Sequence, residues 1–353
     1  MISFQDLHQP TGRNLLIDQQ SYLFFGGTAY LGLLDNQEYI SLYKEGIDSY
    51  GLNNGTSRSN NVQLGIYQEA ESKLALRFGF EASALFSSGY LAAQATVRAL
   101  VDDRELIYAP ASHPALWLSI NPQSMQGFDS WAMDTVQYIN TSANTRFVIV
   151  SNCIDNLKPE KYDFSVFCNL NDDKEVLFIL DDSHGLGIVN ENAVSSDLCL
   201  LKEKSNIAIV IVSSLAKGLG TDAGLVLGDS ENIARLKQHP IFMGASPASP
   251  AAVYALIKGD EVYKKAFEKL HDNIDYFSSH LDADLGLSQI NGFPVFTSID
   301  PSLYSYLSQN NILISSFPYP LPTSDPLNRI VISALHTKED LDYLLHVYHI
   351  KIK

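Results

Sequence analysis

The stretch IAIVIVSSLAKGLGTDAGLVLGD, Ile207–Asp229, places two apolar runs on either side of a loop of small residues that carries one lysine. The first run is rich in β-branched side chains and too short for a typical helix, so it reads as a buried strand. The loop Ser213-Ser214-Leu215-Ala216-Lys217-Gly218-Leu219-Gly220 crowds the amine of Lys217 with backbone. Such crowding desolvates an amine and makes it nucleophilic, although an ordinary loop lysine satisfies the same pattern. The glycines at 218, 220 and 224 also resemble a dinucleotide-binding loop. That motif needs a helix next, and AGLVLGD is β-type, so the nicotinamide reading is set aside.

Working outward, the apolar run VLFIL ends in Asp181-Asp182-Ser183-His184-Gly185. Two acids and a histidine at the end of a buried strand are poorly placed for packing. Alone they fit a metal site, a ribose contact or a solvated turn. Further upstream, Phe86-Ser87-Ser88-Gly89-Tyr90 closes a strand and opens the helix LAAQATVRAL. Free N–H groups at a helix start, with a glycine for close approach and a serine hydroxyl, form a phosphate cup; a plain Ser-Gly turn accounts for the residues equally well. Together the three motifs match one cofactor, pyridoxal 5′-phosphate (PLP). It needs a lysine for its aldehyde, an acid for its pyridine nitrogen and a helix terminus for its phosphate.

The surrounding pattern alternates helix and strand. Helices are expected at 66–78, 91–101 and near Ala115, and strands at 82–86, near Leu106, and at 146–150, 176–180, 207–213 and 224–227. Short β-rich runs between helices predict a mostly parallel sheet covered on both faces, with ligands at the carboxyl ends of its strands. After Pro250 comes a long helical stretch, 251–281, interrupted near Gly259, then short strands at 294–298 and 330–332 and a closing helix. Thr337 with Asp340 three residues later marks the start of that helix. The expected division is a large domain, 46–250, and a smaller α+β domain, 1–45 with 251–353.

The chain has 353 residues, with 24 basic and 40 acidic side chains and a net charge of −16. That balance argues against a broad surface for nucleic acid or anionic lipid and leaves room for a small anion bound locally. No run of about 18 apolar residues is present. The opening MISFQDLHQP lacks a basic patch followed by an apolar core, so the cytoplasm is the expected location. Cys153, Cys168 and Cys199 are odd in number and lack a C-x-x-C pair, which predicts buried free thiols and neither a disulfide framework nor a metal site.

Through most of its length the sequence resembles the α-oxoamine synthases, the 8-amino-7-oxononanoate synthase and 2-amino-3-ketobutyrate CoA ligase group of the class I/II aminotransferase superfamily. Tyr30-Leu31-Gly32-Leu33 is similar to the family's N-Y-L-G-L, and YGLNNGTSR (50–58) to its Y-G-x-G-x-x-G-S-R. LFSSGYLAAQ, DDSHGLG, SSLAKGLG and ISALHTKEDLDYLL each match a further family motif. The resemblance implies an α/β, three-layer PLP-dependent transferase of fold type I, whose large domain has a mostly parallel seven-stranded sheet. It makes Lys217 the Schiff-base lysine, Asp181 the partner of the pyridine nitrogen, and His184 the partner of the ring's phenolic oxygen. Ser88, Gly89, Tyr90 and Ser214 would hold the phosphate, and His113 would stack on the ring. Ser246, in GASPASP, would reach the phosphate of a neighbouring subunit, which implies a homodimer with shared sites.

Departures from the family fall on substrate-facing positions. Phe317, in SSFPYPLP, stands where the family has the arginine that binds the amino-acid carboxylate; Arg329 is a candidate replacement, although it matches a different family position. Ala29 replaces an asparagine and Tyr67 a histidine, and no basic element for coenzyme A phosphates is evident. The expected reaction joins an amino acid to an acyl-CoA. An aminotransferase or another PLP enzyme of the same fold, and a PLP-fold subunit that has lost catalysis, remain as alternatives.

Overall fold

The computed structural model describes residue 4 and residues 7–119, 126–281, 286–318 and 323–352. In chain order the elements open with β1 (Asn14–Ile17), β2 (Gln20–Phe25), α1 (Gln37–Tyr50) and α2 (Ile66–Phe78). An alternating segment follows: β3 (Ala82–Phe86), α3 (Gly89–Leu100), β4 (Glu105–Tyr108), α4 (Phe128–Thr141) and β5 (Arg146–Asn152). A short hairpin, β6 (Ile154–Asp155) and β7 (Glu160–Lys161), leads to β8 (Glu175–Asp181), the one-turn α5 (Cys199–Lys202), β9 (Ile207–Ser214) and β10 (Gly224–Gly228). Helices α6 (Ser230–Gln238), α7 (Pro240–Gly244), α8 (Pro250–Lys258) and α9 (Asp260–Ser279) come next. The chain closes with β11 (Ser288–Gln289), β12 (Val295–Ser298), α10 (Leu303–Gln309), β13 (Ile312–Pro318), β14 (Pro326–Val331) and α11 (Lys338–Ile352).

The central sheet has the order β3-β10-β9-β8-β5-β4. Strands β9, β8, β5 and β4 run parallel, and β10 is antiparallel to both of its neighbours. The inner strands are buried almost end to end because helices cover both faces, which is why they read as continuous Ile/Val/Leu runs. The sheet has six strands among the described residues, not the seven that the resemblance implied. The six apolar runs read from the sequence are those six strands.

A second six-stranded sheet, β1-β2-β13-β14-β12-β11, draws strands from both ends of the chain. Among the described residues its only parallel pairing is β2 with β13, which stitches residues 23–25 to 312–314. The N-terminal strands, β13 and α4 were not anticipated from sequence, and the helix expected near Ala115 is a single 3-10 turn, Pro114–Leu116. The break expected near Gly259 separates α8 from α9. Cys153 is buried as expected, whereas Cys168 is half-buried and Cys199 is exposed. For the domain boundary we propose 46–250 as the large unit and 1–45 with 251–353 as the small one, supported by the split origin of the second sheet; α1 crosses the boundary and packs on α8.

The start of α11 joins the two ends of the chain. Thr337 N–H donates to Asp340 Oδ2 at 2.8 Å, and Arg13 grips both Asp340 oxygens at 2.6 and 2.7 Å. Beside it, His336 is buried, stacked on Phe25 with centroids 4.0 Å apart. Its Nδ1 accepts from Ser333 N–H at 2.9 Å, so Nε2 carries the proton and donates to Phe24 O at 3.1 Å. Burial lowers its pKa from 6.5 to about 4. The unfolded ring takes up a proton near 6.5 and the native ring only near 4, so this stability is complete above 6.5 and drains as pH falls toward 4. The shift corresponds to about 3 kcal/mol. Urea unfolding at pH 8 and pH 5 should show wild type losing more stability than His336→Gln on acidification; equal losses would remove His336 as the cause.

Candidate active site

The sheet register brings the separate motifs to one rim. Asp181 at the end of β8 lies opposite Asn152 of β5 and Val212 of β9. Gly224, the first residue of β10, lies opposite both Phe86 and Ser214. The carboxyl ends of β3, β5, β8 and β9 therefore open on the same edge, the end of an α/β sheet where ligands bind.

The lysine loop is closed by its own backbone, with Leu215 N–H donating to Ala223 O at 2.9 Å and Thr221 N–H to Leu215 O at 3.2 Å. Two helices clamp it from behind. Tyr39 of α1 bonds Thr221 Oγ1 at 2.5 Å, and Tyr263 of α9 donates to Leu219 O at 2.9 Å. On this anchored loop Lys217 Nζ lies 2.9 Å from His184 Nε2. Desolvation lowers the amine's pKa from the usual lysine value; Asp181 pulls against that effect and Arg329 adds to it. Burial, with the charge of Lys217 second, pushes His184 well below the ordinary histidine range, so its ring is neutral.

The adjacent acids have different tasks. Asp182 is fully buried and accepts from Ser195 N–H at 2.8 Å and from the Ser195 hydroxyl. Burial raises its pKa to about 7. Asp181 remains at the rim, where its Oδ1 accepts from Ser183 N–H at 2.9 Å and its charge acts on both His113 and Lys217. His113 reaches solvent at the mouth, yet desolvation still lowers its pKa. Its backbone N–H donates to Asn152 Oδ1 at 3.1 Å, and Asn152 holds Ala111 O at 2.7 Å, which ties this loop to the end of β5.

The helix start also fits an anion. Ser88 caps α3, its Oγ accepting from Leu91 N–H at 3.2 Å. Gly89 packs on Ser214, so a Cβ at 89 would fall 2.4 Å from Ser214 Cβ. Tyr90 is exposed, at 65 %. The structure thus gathers Lys217, Asp181, His184 and His113 by contact or charge, and Ser88, Gly89 and Ser214 by packing. Ser246 lies on the exposed loop between α7 and α8, and no contact of it with the others is seen among the described residues. Gly89→Ala should cost about 1–3 kcal/mol of stability or an equivalent loss of PLP affinity, read by thermal melts with and without PLP. Unchanged melting and affinity would show that the cup is looser than this packing.

Two contributors, Tyr30 and Asn156, are not legible as site residues, and a third, Arg329, is expected only as a replacement for the carboxylate-binding arginine. Tyr30 is completely buried and its hydroxyl lies 2.8 Å from His184 Nδ1; only its place in the Y-L-G-L motif signalled it. Asn156, beyond β6, lies 3.1 and 3.2 Å from the two nitrogens of His184 and carries no sequence signal. Arg329 sits on β14, a central strand of the second sheet, opposite Ser315. It is 5 % exposed, and its charge acts on Tyr30, His184 and Lys217. Its Nε and Nη2 have no partner among the described residues. Phe317 is half-buried on the neighbouring β13; residues 319–322 of its motif lie outside the described residues.

A desolvated lysine, a rim carboxylate and a helix terminus on one sheet edge define the class as PLP-dependent transferases of fold type I. Residues 26–347 match the family model "Aminotransferase class I and II", and the chain belongs to that family. It is similar to 8-amino-7-oxononanoate synthase from Thermosipho melanesiensis, 25% identical, with 97% of this chain and 91% of that protein covered. It is also similar to serine palmitoyltransferase from Sphingobacterium spiritivorum, 23% identical over 96% of this chain and 88% of that protein. Among solved structures, serine palmitoyltransferase from S. paucimobilis with bound PLP–myriocin superposes with a TM-score of 0.81 at 16% identity, covering 98% of this chain and 91% of that one. At that identity the superposition shows the fold alone.

Proposed function

We infer that the chain is a PLP-dependent acyltransferase of the α-oxoamine synthase kind, joining an amino acid to an acyl-CoA. The observation that carries this reading is the amine of Lys217, anchored on a closed loop, desolvated, and 2.9 Å from a neutral His184. The residues present fit the cofactor. Lys217 would hold its aldehyde carbon, Asp181 its pyridine nitrogen, His184 its phenolic oxygen and His113 its ring face. Ser88, Gly89, Tyr90 and Ser214 would take the phosphate, joined by Ser246 from a second copy of the chain. When bound, PLP supplies an electron sink that stabilises negative charge at the substrate's α-carbon.

The protein's own part is positioning and proton handling. Desolvation lowers the Lys217 pKa below that of an ordinary lysine, which suits the amine to take a proton from the α-carbon. Arg329 supplies what Phe317 cannot: Nε and Nη2 form one edge of the guanidinium fork, buried and unpartnered, which suits a carboxylate bidentately. Arg329→Lys keeps the charge and loses the fork. It should raise the amino-acid KM on the order of tenfold or more, with kcat changed much less; an unchanged KM would assign the carboxylate elsewhere.

A mostly apolar cavity of about 390 Å³, bordered by Leu33, Leu34, Tyr39, Ile40, Tyr43 and Ala216 with Lys44 and Asp222 also in its wall, offers room for an acyl chain beside the lysine loop. Thiol release from acyl-CoAs in the presence of single amino acids tests the reaction. An aminotransferase would yield an oxo acid and no thiol, and a non-catalytic subunit neither product. A homodimer is supported by the matching GASPASP motif and by Leu52 and Val62, exposed apolar residues of the 50–65 loop. No helix among the described residues is long and apolar enough to cross a membrane. Free Cys153, Cys168 and Cys199 support a reducing, cytoplasmic setting.

A further inference from the structure

We propose that Tyr30 is a positioning residue that, through His184, keeps Lys217 in its neutral, nucleophilic form. The steps follow from donor and acceptor counting. The positive charge of Arg329 acts on the buried Tyr30 hydroxyl and draws the oxygen's lone pairs toward the guanidinium. The tyrosine's own proton is thereby turned to its other neighbour, His184 Nδ1, at 2.8 Å. A neutral imidazole that accepts at Nδ1 carries its proton on Nε2. Nε2 lies 2.9 Å from Lys217 Nζ. An N–H aimed at that amine is satisfied by a lone pair, which only the neutral form has; an ammonium there would face a donor.

Asn156 does not choose the tautomer, because it is nearly equidistant from both ring nitrogens. The other charged and titratable groups that act on this corner are His113, Asp181 and Arg329. Asp181 favours the ammonium, and Arg329 opposes it. Tyr30 therefore adds to burial and to Arg329, and its effect reaches Lys217 only through the imidazole. This inference rests on the reading of Lys217 as the reactive amine, but it concerns the protein without cofactor.

Two measurements on the cofactor-free chain test it. Carbamylation by cyanate requires a neutral amine, and peptide mass spectrometry reads the rate at Lys217 against pH, with Lys202 as an internal reference. In Tyr30→Phe the ring is free to present Nε2 as an acceptor. The midpoint for Lys217 should then rise by about one pH unit, the size of one hydrogen-bond exchange, while that of Lys202 stays in place. Nitrogen-15 NMR of histidine-labelled wild type should show the Nε2–H tautomer at His184, becoming a mixture in the variant. An Nδ1–H tautomer in wild type, or an unmoved Lys217 midpoint in a folded Tyr30→Phe protein, would overturn the proposal. Neither measurement depends on PLP or acyl-CoA, so failure of the acyltransferase reading would be seen separately, in the thiol-release assay.

Discussion

Lys217→Ala is expected to abolish turnover, by a factor of at least about 10³, while leaving the fold and the melting temperature close to those of wild type. The structural reason is the division of labour in the loop. Its shape is held by the Leu215–Ala223 and Thr221–Leu215 backbone bonds and by Tyr39 and Tyr263, none of which uses the lysine side chain. Among the described residues the amine itself is bonded to His184 alone. Removing it also relieves a desolvated amine, so little stability is lost with it. Activity within tenfold of wild type, measured as thiol release under saturating amino acid and acyl-CoA, would show that Lys217 is not the reactive group.

The second large effect is expected at Asp181. Asp181→Asn keeps the size and the acceptor for Ser183 N–H and removes the negative charge that acts on His113 and Lys217. A neutral partner cannot hold a pyridine nitrogen protonated, and the loss should be on the order of 10²–10⁴-fold in kcat. Asp182→Asn provides the contrast. Asp182 faces Ser195 in the interior and not the rim, so its replacement should alter stability and its pH dependence and leave most of kcat intact. Burial raises the Asp182 pKa from 3.8 to about 7, so ionising it in the native state costs stability as pH rises through that interval. Relative to Asp182→Asn, wild type should lose stability from pH 4 to pH 7. If Asp182→Asn were the inactive variant and Asp181→Asn the active one, the assignment of the pair would be reversed.

The central sheet was legible because buried parallel strands leave continuous apolar runs, and each run that was read became a strand. The second sheet was not: β2 pairs with β13 across nearly three hundred residues, and no local pattern records a partner so distant. Helix α4, between β4 and β5, is absent from the pattern that the sequence suggests. At the site, Asp181 ends a strand, Ser88 opens a helix, and His184 and Lys217 lie in the loops just beyond strands β8 and β9, where polar residues have no packing reason to be. Tyr30, Asn156 and Arg329 come from three other parts of the chain and meet only in three dimensions. Arg329 is a candidate from sequence only because Phe317 leaves the arginine position empty; what singles it out is its burial and the lack of a partner for Nε and Nη2 among the described residues.

The most direct test is chemical. The protein is incubated with PLP, reduced with borohydride, digested, and every lysine peptide is mapped by mass spectrometry, with Lys217→Ala treated in parallel. The expected result is near-stoichiometric label on Lys217, absent from the variant, with only traces at exposed lysines. Label spread evenly over surface lysines, or equal in the two proteins, would contradict the assignment of this rim as a PLP site.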